Sequence, residues 1–310
     1  MKTILLTLCV VFAFVKLNAQ TNVWQPSRGH VQIPLWPGTP PDANLQRLPG
    51  PEYVTNTPYP HGQPLVWVRN VSQPTMTVYS PRWKNNGIAM VVFPGGGYNE
   101  LAMNLEGTEI CDWLNSRGIT AVLLKYRVPL TKVELYSQPQ PLALEDAQRA
   151  LGLVRMHAAD WGINPHKIGV IGFSAGGHMV ADTSTHFDKR VYPAVDAADN
   201  VSCRPDFAVA CYPGHLWPGG HDDFKLNPSV PVSTNTPPTF LLMAEDDHVD
   251  HVEQALTYYI ALKNANVPVE MHLYAHGGHG FALRASTENP ISGWPALVER
   301  WLRTIGMTSN

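Results

Sequence analysis

The sequence predicts an α/β fold, in which a mostly parallel β-sheet carries helices on both faces. Short apolar runs typical of buried strands alternate along the chain with longer stretches that have the apolar periodicity of helices. This alternation favours strand–helix–strand units, whose strands run parallel. The second observation is Gly172-Phe173-Ser174-Ala175-Gly176, which directly follows an apolar run. Small residues around a central serine are typical of a sharp turn from a buried strand into a helix.

The first half of the fold contains four predicted strands and two helices. Apolar, β-branched and aromatic residues favour strands over residues 65–68, 76–79, 87–93 and 120–126. A helix is expected over 106–117, because Gly118 is a residue type with which helices commonly end. A longer helix is expected over 142–161, where alanine, leucine and valine recur on one face.

The second half repeats the pattern. Apolar runs predict strands over residues 167–173, 206–212, 239–244 and 269–274. Helices are expected over 252–265 and 294–305. We assign residues 64–310 to one α/β domain and residues 20–63, rich in Pro, Gly and Asn, to an extended segment lying over its surface.

The first 19 residues resemble a secretory signal. Lys2 supplies a positive start, residues 4–15 form an apolar stretch, and Ala19 is a small residue suited to cleavage. We therefore expect residues 1–19 to be removed and the protein to be secreted or periplasmic, with no membrane attachment afterwards. The alternative, a retained anchor helix, is disfavoured because Lys16 interrupts a run already short for a bilayer.

Charge and cysteine content narrow the classes of partner and cofactor. The formal net charge of −3 and the lack of a basic run argue against nucleic-acid binding. No C-x-x-C or H-x-x-x-H pattern indicates a zinc site, so neither a metal nor another cofactor is expected. A Cys203–Cys211 disulfide is one alternative, but the apolar run around Cys211 favours buried free thiols.

Ser174 is the candidate nucleophile, because G-x-S-x-G after a strand exposes and aims a serine hydroxyl. A serine needs a histidine as base and a carboxylate to orient that histidine. His279 lies among glycines after the last strand, with His276 as its rival. For the carboxylate we favour Asp246, at the expected first bend after residues 239–244. The alternatives to Asp246 are its neighbours, Glu245 and Asp247.

Backbone amides for an oxyanion hole are predicted in two places. One is Ala175, which follows Ser174 at a helix N-terminus. The other is the triple-glycine loop after residues 87–93, where alignment on the HGGG motif selects Gly96 and Gly97 and puts Pro94 in the place of histidine.

Together these motifs resemble the secreted carbohydrate-esterase branch of the α/β-hydrolases, which contains acetyl-xylan and feruloyl esterase-like enzymes. The resemblance covers roughly residues 33–303 and includes residues 35–41, 94–98, 125–127, 146–150, 172–178, 204–207, 237–240, 246–247 and 277–281. It implies the α/β-hydrolase fold and a catalytic triad of Ser174, Asp246 and His279. It also implies an acylated polysaccharide, most simply acetylated xylan, or a small ester as substrate.

Three other functions stay open at this point. The same machinery serves a general short-chain or feruloyl esterase. The Asp-Asp-x-Val loop is also similar to that of exported prolyl-oligopeptidase-type peptidases, although no large N-terminal domain is evident here. A non-catalytic hydrolase-like binding protein is the third alternative, and the complete set of candidate residues argues against it.

Residues 213–236 form a shorter segment than such relatives often carry, which predicts a small cap and an open site. Trp217 in this segment is a candidate for stacking on a sugar ring, with packing onto the core as the alternative. Tyr98 is a candidate for lining the acyl pocket. The polar residues of the acid loop are interpreted as solvated rather than metal-binding: His248, Asp250 and His251.

Overall fold

The computed structural model describes residues 23–46, 48–60, 62–130, 141–220 and 224–308. Its core is an eight-stranded sheet in the order β1-β4-β7-β5-β8-β9-β10-β11, and a second sheet has the order β2-β3-β6. The strands are β1 (Gln32–Pro34), β2 (Tyr53–Thr57), β3 (Leu65–Arg69), β4 (Thr75–Tyr79), β5 (Ala89–Phe93), β6 (Glu100–Ala102), β7 (Thr120–Lys125), β8 (Ile168–Phe173), β9 (Ala208–Cys211), β10 (Thr239–Ala244) and β11 (Val269–Tyr274). The predicted α/β fold with a mostly parallel sheet is confirmed.

Five α-helices connect or follow these strands: α1 (Glu109–Ser116), α2 (Pro141–Met156), α3 (Ala175–Thr185), α4 (Glu253–Asn264) and α5 (Trp294–Thr304). The chain reaches β7 from β5 through α1, and then passes to the other side of β5 through α2 to reach β8. Because such crossovers are right-handed, α1 and α2 cover opposite faces of the sheet. α3 packs against α2, and Trp294 of α5 packs edge-on against Trp113 of α1.

The order of the strands fixes where a site can form. Sheet growth reverses at β5, which lies between β7 and β8 and pairs parallel with both. Open α/β sheets bind ligands at the carboxyl ends of their strands at such a switch point. The residues that follow β5 and β8 are the triple-glycine loop and Ser174.

The N-terminal segment, predicted to lie over the surface, also supplies strands to both sheets and side chains to the core. Within residues 20–63, β1 pairs antiparallel with β4 at the edge of the main sheet, and β2 pairs antiparallel with β3. Leu35 and Trp36 are buried in the core. The second sheet therefore spans the boundary that we predicted at residue 64. The predicted signal, residues 1–19, lies outside the described residues.

All three cysteines of the described chain, Cys111, Cys203 and Cys211, are buried free thiols. The structure therefore contains the buried thiols that the sequence favoured and not the alternative Cys203–Cys211 disulfide. None of the described helices is long and apolar enough to cross a bilayer.

A buried ion pair ties the N-terminal segment to the sheet. Arg127, directly after Tyr126, is fully buried, and its Nε donates to Asp146 Oδ2 at 2.9 Å and its Nη2 to Glu145 at 2.7 Å. Trp36 Nε1 donates to the same Asp146 carboxylate at 2.9 Å. Arg127, the Glu145–Asp146 pair and Trp36 thus form one buried cluster that holds three chain segments together.

Replacing Arg127 by methionine is expected to lower the free energy of unfolding by about 3–5 kcal/mol, because two buried carboxylates lose their cation. Arg117→Met is the matched control, since Arg117 is half exposed where it meets Glu299. An exposed pair contributes about 0–1 kcal/mol. Urea denaturation measures both differences, and equal losses in the two variants would contradict this reading of the cluster.

Candidate active site

Ser174 occupies a strained turn between β8 and α3. Its φ of 54° and ψ of −121° are unusual for a residue with a side chain, and its amide donates to Cys211 O at 3.1 Å. The turn is tight enough to require glycine at 176, where a Cβ would lie 2.1 Å from Phe93 O. The predicted nucleophile elbow is therefore present, and it exposes the serine Oγ at the carboxyl end of β8.

His279 reaches Ser174 from the loop after β11. Its Nε2 lies 2.9 Å from Ser174 Oγ, and its Nδ1 lies 2.7 Å from Asp247 Oδ2. The rival His276 is four-fifths exposed and bonds to Asp246, away from the serine. The three side chains of Ser174, His279 and Asp247 form one continuous hydrogen-bonded line.

The carboxylate in this line is Asp247, so the choice of Asp246 from the sequence is wrong. Asp246 instead accepts hydrogen bonds from the amides of Gly277 and Gly278, at 2.9 Å and 2.7 Å. Those bonds, with that from Gly278 the strongest, hold the pKa of Asp246 below its usual range. Asp246 therefore organises the backbone of the loop that carries His279 without touching the imidazole.

The physical reason for the difference is the shape of the turn after β10. The Glu245 amide still donates to Tyr274 O at 2.7 Å, so the chain continues alongside β11 for one more residue. It then bends, and the Asp247 amide points back to Ala244 O at 3.4 Å. Glu245 is exposed, Asp246 faces the neighbouring loop, and only Asp247 of the three, fully buried, turns toward His279.

The pKa of His279 lies above its ordinary value. Burial lowers this pKa most, but the hydrogen bond and charge of Asp247 and the charges of Asp250 and Glu106 together outweigh it. The site therefore favours the imidazolium, the form that a histidine base adopts after taking the proton from a serine.

The triple-glycine loop lies beside the serine. Gly96 and Gly97 line the same cavity as Ser174 and His279. Gly96 has a φ of 134°, and a Cβ there would lie 2.0 Å from Glu100 O, so only glycine fits. Among the described residues, no acceptor takes the amide hydrogens of Gly96, Gly97 or Ala175. These amides are available to a ligand, as the sequence predicts for oxyanion donors.

Glu106, which was not among the predicted site residues, supports this loop from below. Glu106 is buried; its Oε2 accepts from the Gly95 amide at 2.7 Å, and its Oε1 accepts from the Tyr212 hydroxyl at 2.9 Å. Burial raises the pKa of Glu106, against the effects of His279 and the Gly95 hydrogen bond. A glutamate in a predicted helix start is ordinarily solvated, so no local signal marks it.

Tyr98 does not line the cavity, contrary to the prediction. It is 2% exposed, and its hydroxyl is 2.8 Å from His178 Nδ1. Its ring stacks on that of His215, and His215 does line the cavity. Tyr98 thus supports the wall of the cavity from behind.

The cavity over Ser174 has a volume of about 730 Å³ and opens to solvent. One wall is the second sheet, with Leu65 and Trp67 of β3. Another part of the wall is the short cap segment, where Trp217 is half-buried and lines the cavity, as its candidate role requires. No helix forms in the described part of residues 213–236, in line with the predicted small cap.

Asp250 is the site residue that the sequence led us to misread. Its carboxylate lies in the cavity, 3.3 Å from Ser174 Oγ, rather than in solvent. A clue was its position three residues after Asp247, in the same loop. In the described part of the chain, no three His, Cys, Asp or Glu side chains are grouped so as to hold a metal ion.

A family model of the alpha/beta hydrolase fold matches residues 90–283. The chain belongs to the alpha/beta hydrolase fold family. The match runs from β5 to the loop that carries His279, and so includes every residue of the hydrogen-bonded line. The fold predicted from the sequence is thus confirmed by both topology and family.

Two curated relatives are similar to this chain. The acetylxylan esterase of Xylanibacter ruminicola is 32% identical over 217 residues, which are 63% of this chain and 41% of that protein. Endo-1,4-beta-xylanase B of Butyrivibrio fibrisolvens is 32% identical over 225 residues, 66% of this chain and 34% of that protein. This alpha/beta hydrolase chain spans less than half the length of either relative.

Solved structures cover the chain more fully. The acetyl ester-xyloside bifunctional hydrolase from Caldicellulosiruptor lactoaceticus superposes with a TM-score of 0.68 at 34% identity, covering 90% of this chain and 97% of that one. A thermophilic esterase from Thermogutta terrifontis gives a TM-score of 0.62 at 25% identity, covering 77% and 92%. These likenesses confirm the predicted resemblance to the acetyl-xylan esterase-like branch.

Proposed function

We propose that this alpha/beta hydrolase is a secreted serine ester hydrolase that removes acetyl or other small acyl groups from plant polysaccharide such as xylan. The observation that carries the proposal is the hydrogen-bonded line from Ser174 through His279 to Asp247, opening on a solvent-accessible cavity. Its similarity to an acetylxylan esterase and to an acetyl ester-xyloside hydrolase supports the choice of substrate. The signal-like residues 1–19 support export.

In this proposal the reaction has two halves. Ser174 Oγ attacks the ester carbonyl while His279 Nε2 takes its proton, and the same nitrogen then gives that proton to the departing sugar oxygen. Asp247 holds the imidazole in the tautomer that leaves Nε2 free to accept. The resulting acyl-serine is hydrolysed by a water molecule that His279 activates in the same way.

Negative charge develops on the carbonyl oxygen in both halves. The amides of Ala175, Gly96 and Gly97 are the proposed donors to this oxyanion, because they have no acceptor among the described residues and border the cavity or the serine. Removing one such donor typically costs about 3–4 kcal/mol of transition-state stabilisation. No cofactor takes part in this scheme.

The cavity supports a bulky alcohol and a small acyl group. Its walls carry aromatic side chains, Tyr59, Trp67 and Trp217, which present flat apolar surfaces of the kind that pack on sugar rings. An open mouth suits an ester on a polymer, whereas a long acyl chain favours an enclosed apolar tunnel.

A panel of substrates tests the proposed function. We expect release of acetate from acetylated xylan, and a higher kcat/KM for p-nitrophenyl acetate than for the octanoate. Octanoate hydrolysis equal to or faster than acetate hydrolysis would contradict the acetyl-esterase proposal. Preferred cleavage of methyl ferulate would indicate a feruloyl esterase. Cleavage of a proline dipeptide amide would indicate a peptidase.

The pH dependence of kcat/KM for p-nitrophenyl acetate is expected to report His279. Only neutral imidazole accepts the serine proton, so activity falls as the pH drops through the pKa of His279, which lies above its ordinary value of about 6.5. Asp250 is one of the charges that raise this pKa, with Asp247 and Glu106. Asp250→Asn should therefore shift the acid limb to lower pH, and a shift to higher pH would contradict this assignment.

A further inference from the structure

The carboxylate of Asp250 lies next to the reacting atoms but outside the hydrogen-bonded line of the triad. Its Oδ2 is 3.3 Å from Ser174 Oγ and 3.8 Å from His279 Nε2. The side chain is 15% exposed, and that exposure is toward the cavity that it lines. The hydrolytic scheme above assigns it no contact with the substrate.

Two separate segments place Asp250 there. Asp247 Oδ1 accepts from the amides of Val249 and Asp250, at 2.9 Å and 3.0 Å, so the triad carboxylate also folds the turn that brings Asp250 back toward the serine. On the other side, Gly214 leaves the space for the carboxylate. A Cβ at Gly214 would lie 2.5 Å from Asp250 Oδ1.

When the site is ready to react, the Asp250 carboxylate needs a hydrogen-bond donor. A serine hydroxyl has a single proton, and in the reaction that proton goes to His279 Nε2 at 2.9 Å rather than to Asp250. Burial raises the pKa of Asp250, while His279 and His215 nearby lower it. A carboxylate screened from water by a bound substrate is costly unless the substrate supplies a hydrogen-bond donor.

We propose that Asp250 accepts a hydrogen bond from the free hydroxyl next to the esterified oxygen, so that the enzyme selects monoacylated vicinal diols, as found in partly acetylated sugars. The inference rests on the proposed ester hydrolysis. The departing oxygen must approach His279 Nε2 to receive its proton, and Asp250 Oδ2 is 3.8 Å from that nitrogen. On a sugar ring, the hydroxyl of the adjacent carbon is the group nearest to the departing oxygen, so it is the donor that this carboxylate meets.

A purely electrostatic action of Asp250 on His279 makes a different prediction. A charge that only adjusts the imidazole changes the hydrolysis of all acetates by a similar factor, whatever lies beside the ester. A hydroxyl acceptor changes the rate only for esters that carry the neighbouring donor. The electrostatic role and the acceptor role are therefore distinguished by comparing several substrates with the same variant. Comparing several variants with a single substrate does not distinguish them.

The test uses three acetates: trans-2-hydroxycyclohexyl, trans-2-methoxycyclohexyl and cyclohexyl acetate. Each kcat/KM is divided by the rate of alkaline hydrolysis of the same ester, which removes intrinsic reactivity. The wild-type enzyme is expected to prefer the hydroxy ester over the methoxy ester by about 10- to 100-fold, the usual discrimination from a hydrogen bond to a charged group. The methoxy ester, which has the bulk but no donor, should resemble cyclohexyl acetate or be slower.

In Asp250→Ala the preference should fall to near unity, and in Asp250→Asn, which keeps one acceptor oxygen, it should be intermediate. Glu100→Gln is the matched control, because Glu100 also lines the cavity but pairs with Arg69. It should keep the preference. Absence of a preference in the wild-type enzyme, its survival in Asp250→Ala, or its loss in Glu100→Gln would each overturn the inference. Failure of the wild-type enzyme to hydrolyse all three esters would instead count against the proposed function.

Discussion

Ser174→Ala is expected to lower kcat for p-nitrophenyl acetate by about 10⁶-fold, the scale seen when a triad nucleophile is removed. The elbow aims Oγ at the cavity and places it 2.9 Å from Nε2 of His279, the base that takes its proton. Without Oγ no acyl-serine forms, and the remaining amides can only polarise the ester for attack by water. Initial rates at saturating substrate measure the effect.

Ser184→Ala is the control for this substitution. Ser184 is a buried serine further along α3, so both variants remove one hydroxyl from the same helix region. Circular dichroism and the unfolding midpoint should be close to wild type in both. Activity within tenfold of wild type in Ser174→Ala would contradict the assignment of the nucleophile.

Asp247→Asn is expected to lower kcat by about 10⁴-fold, because an amide no longer holds His279 in the tautomer that can accept the serine proton. Asp246→Asn should cost far less. A single Asp246 oxygen, Oδ1, accepts from both the Gly277 and the Gly278 amides, and the side-chain oxygen of asparagine can still accept at that place. Even the loss of one such bond costs about 1 kcal/mol, or about fivefold.

The comparison between these neighbours decides which carboxylate is the triad acid. The two variants make the same chemical change one residue apart, so general effects on the loop appear in both. A larger loss in Asp246→Asn than in Asp247→Asn would contradict the geometry and restore the assignment made from the sequence.

The sequence predicted the sheet and the helices because their signals are local. β10 and β11 begin and end at the predicted residues, since each is a continuous run bounded by residues that break strands. β1 and β2 were missed because short strands at an edge have no periodicity of their own. They exist because β4 and β3 offer free edges, which only the assembled fold supplies.

The site residues also divide into those with a local sequence signal and those that depend on the assembled fold. Ser174, His279 and the glycine loop were found because strained turns restrict the residue types that fit. The choice between Asp246 and Asp247 depends on where the turn after β10 bends. A shift of one residue changes which carboxylate faces His279, and residue composition does not determine that position. Tyr98 was misplaced for a related reason. Its backbone adjoins the glycine loop, but its φ of 56° turns the side chain inward to His178.

The roles of Glu106 and Asp250 depend on contacts between distant segments. Glu106 is joined to Tyr212, and Asp250 is seated against Gly214, each across more than thirty positions of the sequence. Asp250 lies in a polar stretch and was therefore interpreted as solvated. Nothing in the local sequence distinguishes Glu106 from a solvated glutamate at the start of a helix.

In the proposed mechanism, Ser174 carries the acyl group between the ester and water. Acid quenching of the enzyme within the first turnover of p-nitrophenyl acetate, followed by mass spectrometry of its peptides, tests this directly. The proposed mechanism predicts an added acetyl group on the peptide that contains Ser174, and none in Ser174→Ala. Full-rate acetate release with an unmodified Ser174 peptide, or acetyl on another residue that turns over at the catalytic rate, would contradict it.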